Sequence, residues 1–223
     1  MGAIDLVILD LDGTLYSSTA TTLGAVERAV RDLNDRHGLG YARPADDLVL
    51  SGVGLTRREF AAKVFPDLPG RYHDEIDELV WHWERELVTN GRGSLFPGAL
   101  EALEALSSDG RRLAVATNAG RGYMDHILDY FGMRRRFADA RCAGQEGTRD
   151  KADLIALILA ELAAEAGRSV MVGDRRSDID AARRAGTFAI GCTWGFAAAA
   201  ELRGADRLID RFDELPAAVR ALG

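Results

Sequence analysis

Four short, almost unbroken apolar runs, each handing over to a helical pattern, constrain this chain more than any other feature. Ile4 to Leu9 reads IDLVIL, Arg112 to Thr117 RLAVAT, Ser169 to Gly173 SVMVG, and Thr187 to Cys192 TFAIGC. Runs this short without polar alternation suit strands covered on both faces, as in a parallel sheet. Helical periodicity predicts helices over 99–108, 121–131, 151–165 and 177–185. Strand alternating with helix predicts an α/β fold, an open parallel sheet with right-handed crossovers.

Residues Ser17 to Arg92 break that rhythm. They hold helix-like stretches at Ala25 to His37, Arg57 to Val64 and His73 to Thr89 without a convincing strand, and Asn90-Gly91-Arg92-Gly93-Ser94 reads as a linker out. The expected division is an α/β core of residues 1–16 and 93–223, interrupted by a helical subdomain of residues 17–92.

A formal charge of -7 over 223 residues, with no basic block, argues against nucleic-acid phosphates or an anionic membrane as partners. A small ligand is the better expectation. The opening Met1-Gly2-Ala3-Ile4-Asp5 lacks a basic region, and the apolar stretch behind it is closed by Asp10, so neither a signal peptide nor a membrane span is expected. Cytoplasmic placement follows, with Cys142 and Cys192 as reduced core residues.

The chemistry-bearing residues stand where strands end. Asp10-Leu11-Asp12-Gly13-Thr14 follows the first run, so two carboxylates two residues apart project to one side at the edge where open α/β sheets bind ligands. An EF-hand loop would need a preceding helix and a glycine at the sixth position; here an apolar strand precedes and the glycine comes fourth. Thr117-Asn118, before Ala119-Gly120-Arg121-Gly122, could form a phosphate cradle at a helix N-terminus or merely cap that helix. Asp174 and Asp178 follow Ser169 to Val172 and could face the same site from a loop and a first helical turn. Among 28 basic residues only Lys63 and Lys151 are lysine. Lys151 stands at the start of an apolar helix, where a cation opposes the helix dipole and therefore asks for a reason. Carboxylates crowded at one edge repel by about 4 kcal/mol per pair at 4 Å and an effective dielectric of 20. They need cations, and a hard divalent ion, most naturally Mg²⁺, together with Lys151 would supply them.

These residues, in this order, resemble the haloacid dehalogenase superfamily of aspartate-nucleophile phosphotransferases: DLDGT with Asp10 and Asp12, then Thr117, then Lys151, then GDRRSD with Asp174 and Asp178. The stretch 192–215 is similar to the tail of its phosphoglycolate phosphatase-like branch. The resemblance implies a Rossmann-like core with residues 17–92 as a cap, and an Mg²⁺-dependent phosphomonoester hydrolase. Asp10 would be the nucleophile, Asp12 the acid and base, and Lys151 a bridge from the phosphoryl group to Asp10. Thr117 and Asn118 would bind that group. Asp10, Asp174, the Asp12 backbone carbonyl and, at one remove, Asp178 would serve the metal. The expected substrate is a small anionic phosphorylated metabolite resembling phosphoglycolate, with Arg57 in the cap meeting its anionic tail. A nucleoside monophosphate phosphatase is the chief rival; a sugar-phosphate mutase, a phospho-accepting signalling domain and a non-catalytic phosphate binder are weaker ones. Related mutases carry a histidine near Thr21 or Thr22, and none stands there.

Two positions depart from the family pattern. Lys151-Ala152 stands where relatives commonly have Lys-Pro, and Arg175 follows Asp174 where phosphoglycolate phosphatases commonly place serine. Trp81 and Trp83 fall on opposite faces of one helix, so at least one should be core. The exposed-loop alternative for Lys151 places it at the end of a Gln145 to Asp150 loop.

Overall fold

The protein is described here by a computed structural model covering residues 2–144 and 148–223, so Met1 and the first part of the Gln145 to Asp150 loop lie outside the described residues. The chain opens with β1 (Leu6–Leu9) and β2 (Tyr16–Ser17). Four helices follow: α1 (Thr19–His37), α2 (Asp46–Gly52), α3 (Arg57–Val64) and α4 (His73–Thr89). Next come β3 (Ser94–Leu95), α5 (Ala99–Ser108), β4 (Arg112–Thr117), α6 (Arg121–Tyr130) and β5 (Asp139–Cys142). The remainder is α7 (Lys151–Glu161), β6 (Ser169–Gly173), α8 (Arg176–Ala185), β7 (Phe188–Cys192), β8 (Arg207–Ile209) and α9 (Leu215–Arg220).

Six strands form one parallel sheet in the order β5-β4-β1-β6-β7-β8. Leu6 pairs with Arg112 on one side and with Ser169 on the other. The chain winds from β1 outward through β4 and β5, then returns to β6 on the opposite side. The reversal falls at β1, and its carboxyl end opens into the crevice where such sheets take ligands. Every residue of β1 is buried. Val7 and Leu9 face α5, α6 and α9, whereas Leu6 and Ile8 face α7 and α8. An alternating chain with apolar groups on both faces is what an unbroken apolar run encodes.

The helical segment has its own apolar cluster. Ala25, Val26, Ala29, Val30 and Leu33 recur at helical spacing along α1 and meet Ile76, Leu79, Val80 and Leu87 of α4, with Val49, Ala61 and Val64 from α2 and α3. At its base β2 and β3 pair antiparallel, Tyr16 opposite Leu95 and Ser17 opposite Ser94. The segment's two crossings into the sheet-bearing part therefore lie side by side. Gly93 rests on the Tyr16 ring so closely that a Cβ there would overlap the hydroxyl.

Several elements differ from the sequence-based expectation. The first strand begins at Leu6, and the helix expected over 151–165 ends at Glu161, with Ala163 turning at φ 46°. Strands β5 and β8 and helix α2 carried no readable period. β5 is four residues long with Asp139 and Arg141 ion-paired at 2.7 Å, and β8 is a three-residue edge strand beginning with two exposed residues. The Ala197 to Ala200 run leads into a 3-10 turn over Ala199–Leu202. Both cysteines are buried and free. Among the described residues no helix is long and apolar enough to cross a membrane.

Leu33 is fully buried between α1 and its neighbours. Leu33→Ala is expected to cost about 3 kcal/mol of stability, the usual range for a fully buried leucine, read by urea unfolding monitored by far-UV circular dichroism.

Candidate active site

Asp10 leaves β1 still registered to the sheet, its N–H donating to the Val172 carbonyl at 2.9 Å. The cation it meets comes from α7. Asp150 caps that helix, its Oδ1 accepting from the N–H groups of Ala152 at 3.0 Å and Asp153 at 3.3 Å. The cap fixes where α7 begins, and Lys151, its first residue, is only 3% exposed. Lys151 Nζ stands 2.9 Å from Asp10 Oδ1 and 2.5 Å from Asp178 Oδ1. Two carboxylates answer the question that a lysine at a helix's positive pole raises.

Asp174 and Asp178 are held by backbone and by glycine gaps. The N–H of Arg175 donates to Asp178 Oδ2 at 2.8 Å, and a Cβ on Gly173 would overlap the Asp178 carboxyl. Asp174 Oδ1 accepts from Thr14 Oγ1 at 3.2 Å and Oδ2 from the N–H of Phe196 at 2.7 Å. Gly13, at φ +81°, and Gly195 both lie where a Cβ would overlap that carboxyl. Carboxylate oxygens of Asp10, Asp174 and Asp178 lie within 4.8 Å of one another, and Asp10 Oδ2 is buried with no hydrogen-bond partner among the described residues.

One ammonium among three buried carboxylates leaves a deficit of positive charge. Burial pushes Asp10 up to about 8, opposed by Lys151 and reinforced by Asp178 and Asp174. Burial and Asp178 push Asp174 up to about 7. Burial works against charge on Lys151, but Asp10 and Asp178 more than reverse it and hold its ammonium above the usual lysine range. Among the described residues the donor set is oxygen alone, three carboxylates with one oxygen that has no protein partner. It fits a hard divalent cation such as Mg²⁺.

Asp12 points elsewhere, and its carboxyl lies outside the three-carboxylate group. Tyr123 on α6 donates its O–H to Asp12 Oδ1 at 2.6 Å. Burial raises the Asp12 carboxyl, and the Tyr123 hydrogen bond pulls it part of the way back. Asp12 also lines a cavity of about 130 Å³ between the sheet-bearing part and the helical segment. Gly52, Val53, Gly54 and Leu55 form one wall, Asp77, Trp81 and Glu84 of α4 another, and Gly120 to Tyr123 of α6 a third. The Trp81 ring packs on Tyr123 with centroids 5.8 Å apart. Trp83, on the opposite face, donates Nε1–H to Asp32 Oδ2 at 2.7 Å.

The structure thus gathers Asp10, Lys151, Asp174 and Asp178 in one buried group with Asp12 alongside. Thr117 is buried at the end of β4, its Oγ1 accepting from the N–H of Ala119 at 3.1 Å. Asn118 turns to the helical segment, its Nδ2 donating to the Gly54 carbonyl at 2.9 Å. Arg57 lines the cavity but is paired with Asp77 at 2.5 Å. Lys63 donates to the Ser51 carbonyl at 2.8 Å, a local tie at the end of α2.

Sequence reading missed Tyr123, Glu84 and Asp77. The signal for Tyr123 was available: it sits on the apolar face of α6 with Met124, Ile127 and Leu128, directly after Gly122. A tyrosine on a buried face needs a partner for its hydroxyl. Nothing in the sequence marks Glu84, which is half-buried, accepts from Thr22 Oγ1 at 3.0 Å and is pushed up to about 8 by burial and then by Asp12.

The chain belongs to the haloacid dehalogenase-like hydrolases, whose family pattern matches residues 4–186. Phosphoglycolate phosphatase of Agrobacterium fabrum is 32% identical over 197 residues, covering 86% of this chain and 81% of that protein. The plasmid-encoded phosphoglycolate phosphatase of Cupriavidus necator is 32% identical over 217 residues, 95% of this chain and 91% of that one. Among solved structures, a predicted phosphoglycolate phosphatase from Haemophilus somnus superposes with a TM-score of 0.87 at 22% identity, covering 98% of this chain and 99% of that one. Within the family the protein falls in the phosphoglycolate phosphatase-like branch, and it is an enzyme of the phosphatase class.

Glu84 supplies a pH-dependent prediction. Its folded value of about 8 lies above the roughly 4.3 of an unfolded glutamate. Between those values the folded state holds more protons, so the contribution of Glu84 to stability falls as pH rises from about 4 to 8. Asp10 and Asp174 act in the same sense. Urea unfolding of metal-free protein from pH 5 to 8 should show stability declining, and Glu84→Gln should make the decline shallower.

Proposed function

We propose that the protein is an Mg²⁺-dependent phosphomonoesterase acting through an aspartyl-phosphate on Asp10, with residues 17–92 forming a cap over a catalytic core of residues 1–16 and 93–223. The observation that carries this reading is the buried, unpartnered Oδ2 of Asp10 beside Lys151, Asp174 and Asp178. A carboxylate kept dry next to a cation, with one oxygen reserved, is prepared to attack.

In the first half-reaction an Asp10 oxygen forms a bond to phosphorus as the bond from phosphorus to the leaving oxygen breaks, and Asp12 gives that oxygen its proton. Burial favours the protonated form of Asp12 needed for this step, and the Tyr123 hydroxyl fixes the carboxyl's orientation. In the second half-reaction Asp12 accepts a proton from water as the water oxygen attacks phosphorus, releasing phosphate and the Asp10 carboxylate. Lys151 neutralises Asp10 and reaches toward the transferring group, while Thr117 and the first N–H groups of α6 bind its oxygens. Mg²⁺, held by Asp10, Asp174 and the Asp12 backbone carbonyl with Asp178 close by, would supply positive charge to the phosphoryl oxygens. The cavity beside Asp12 would receive the leaving group. Arg57, on the cavity wall, would exchange Asp77 for the anionic end of such a group. Phosphoglycolate, named in the relatives above, is the reference substrate.

The test is phosphate release from phosphoglycolate, nucleoside monophosphates, sugar phosphates and p-nitrophenyl phosphate, with Mg²⁺ or EDTA. Turnover should favour the small phosphorylated acid, vanish with EDTA and fall at least about 10³-fold in Asp10→Asn. Activity surviving in Asp10→Asn would sink the covalent mechanism, and silence across the panel would sink the phosphomonoesterase reading.

A further inference from the structure

Arg175 directly follows Asp174, yet its side chain reaches out of the core. Nη2 donates to the carbonyls of Leu50 at 3.2 Å and Val53 at 2.6 Å, at the C-terminal end of α2. The Leu50 carbonyl also accepts from the Val53 N–H at 3.2 Å, so Arg175 reinforces this helix end, where a cation meets the negative pole of the dipole. α2 is only seven residues long, so a donor from outside matters more to it than to a long helix. The Arg175 stem lies under Gly54, where a Cβ would stand 3.4 Å from Cγ, and its guanidinium sits 5.7 Å from the centre of the Phe196 ring. The N–H of that same Phe196 holds Asp174. Asn118, next to Thr117, adds the third tie through its bond to the Gly54 carbonyl.

The turn so held is a wall of the cavity beside Asp12: Gly52, Val53, Gly54 and Leu55 all line it, whereas Arg175 does not. Arg175 therefore touches the wall and not the cavity's contents.

We infer that Arg175 is a positioning residue: it fixes the 50–55 turn over the site and thereby sets how large a leaving group the cavity accepts. The inference rests on the phosphomonoesterase reading for its kinetic consequence only; the mechanical one stands without it. A short side chain at this position would then have a definite consequence. A serine hydroxyl ends close to its backbone and cannot span to α2. The long, doubly donating guanidinium carries the link, and a lysine, with its single ammonium, replaces it in part.

Two measurements test this on the full chain. Amide hydrogen exchange in metal-free wild type, Arg175→Ser and Arg175→Lys reads the wall without any catalysis. Exchange over residues 50–55 should rise at least about tenfold in Arg175→Ser and less in Arg175→Lys, with α1 and the second half of α4 unchanged. Kinetics on a series of ω-carboxyalkyl phosphates of increasing chain length read specificity. In wild type kcat/KM should fall steeply with length. In Arg175→Ser the slope should flatten, and KM for phosphoglycolate should rise about tenfold while kcat changes less than about threefold. Unchanged exchange over 50–55, or an unaltered length profile in an active Arg175→Ser enzyme, overturns the inference. If Arg175→Ser does not fold, Arg175→Lys decides by the same two readouts. A wild-type enzyme inactive on every phosphomonoester would refute the functional reading, leaving exchange to judge the tie between Arg175 and α2.

Discussion

Beyond the last residue of β1, three carboxylates and a single ammonium group meet out of contact with water, and the neighbouring elements are placed by what that meeting requires. Lys151 can be there only because Asp150 starts α7 at the right residue. Asp174 and Asp178 can approach only because Gly13, Gly173 and Gly195 have no side chain to obstruct them. The sheet contributes the other half, since a winding reversal at β1 puts β4 and β6 beside it and brings their following loops to one edge. Burial raises the affinity of Asp10 and Asp174 for protons, so the site is electrostatically unfinished as the chain alone builds it.

That edge was legible in the sequence for a physical reason. Asp10 and Asp174 stand directly after an apolar run, so strand polarity alone places them, and Lys151 betrays itself by opposing a helix dipole. The other lysine shows the limit of rarity as a clue: Lys63 merely ties off α2. What could not be read is whatever depends on the helical segment folding back. Asn118 meets Gly54 and Arg175 meets Leu50 and Val53, partners more than sixty residues away with no shared periodicity. Arg57 was legible as a cation for an anionic tail, but not its Asp77 partner. Strands β5 and β8 escaped because three or four residues at or near a sheet edge carry charges and no full hydrophobic alternation.

The cavity divides its labour between the two parts of the chain. The proposed catalytic groups come from the loops and first helical turns at the sheet edge, held by backbone hydrogen bonds and close packing. The groups that would meet a leaving group come chiefly from α4 and the turn after α2, and they are held largely by side chains reaching across: Trp81 on Tyr123, Arg175 and Asn118 on the turn. In the proposed reading, chemistry belongs to the sheet edge and selection to the helical segment. Substitutions in the helices can therefore alter what is bound while leaving the buried carboxylates undisturbed.

The two-stranded ladder of β2 and β3 bears on how the chain reaches this arrangement at all. β1 must find β4 across more than a hundred residues, Leu6 against Arg112, and closing so long a loop slows folding. The intervening helices pack mainly on one another, and the Tyr16–Leu95 and Ser17–Ser94 pairs join their two ends. Once that ladder forms, the long loop behaves as a short one with a folded appendage, and β1 and β4 are delivered to each other as near neighbours.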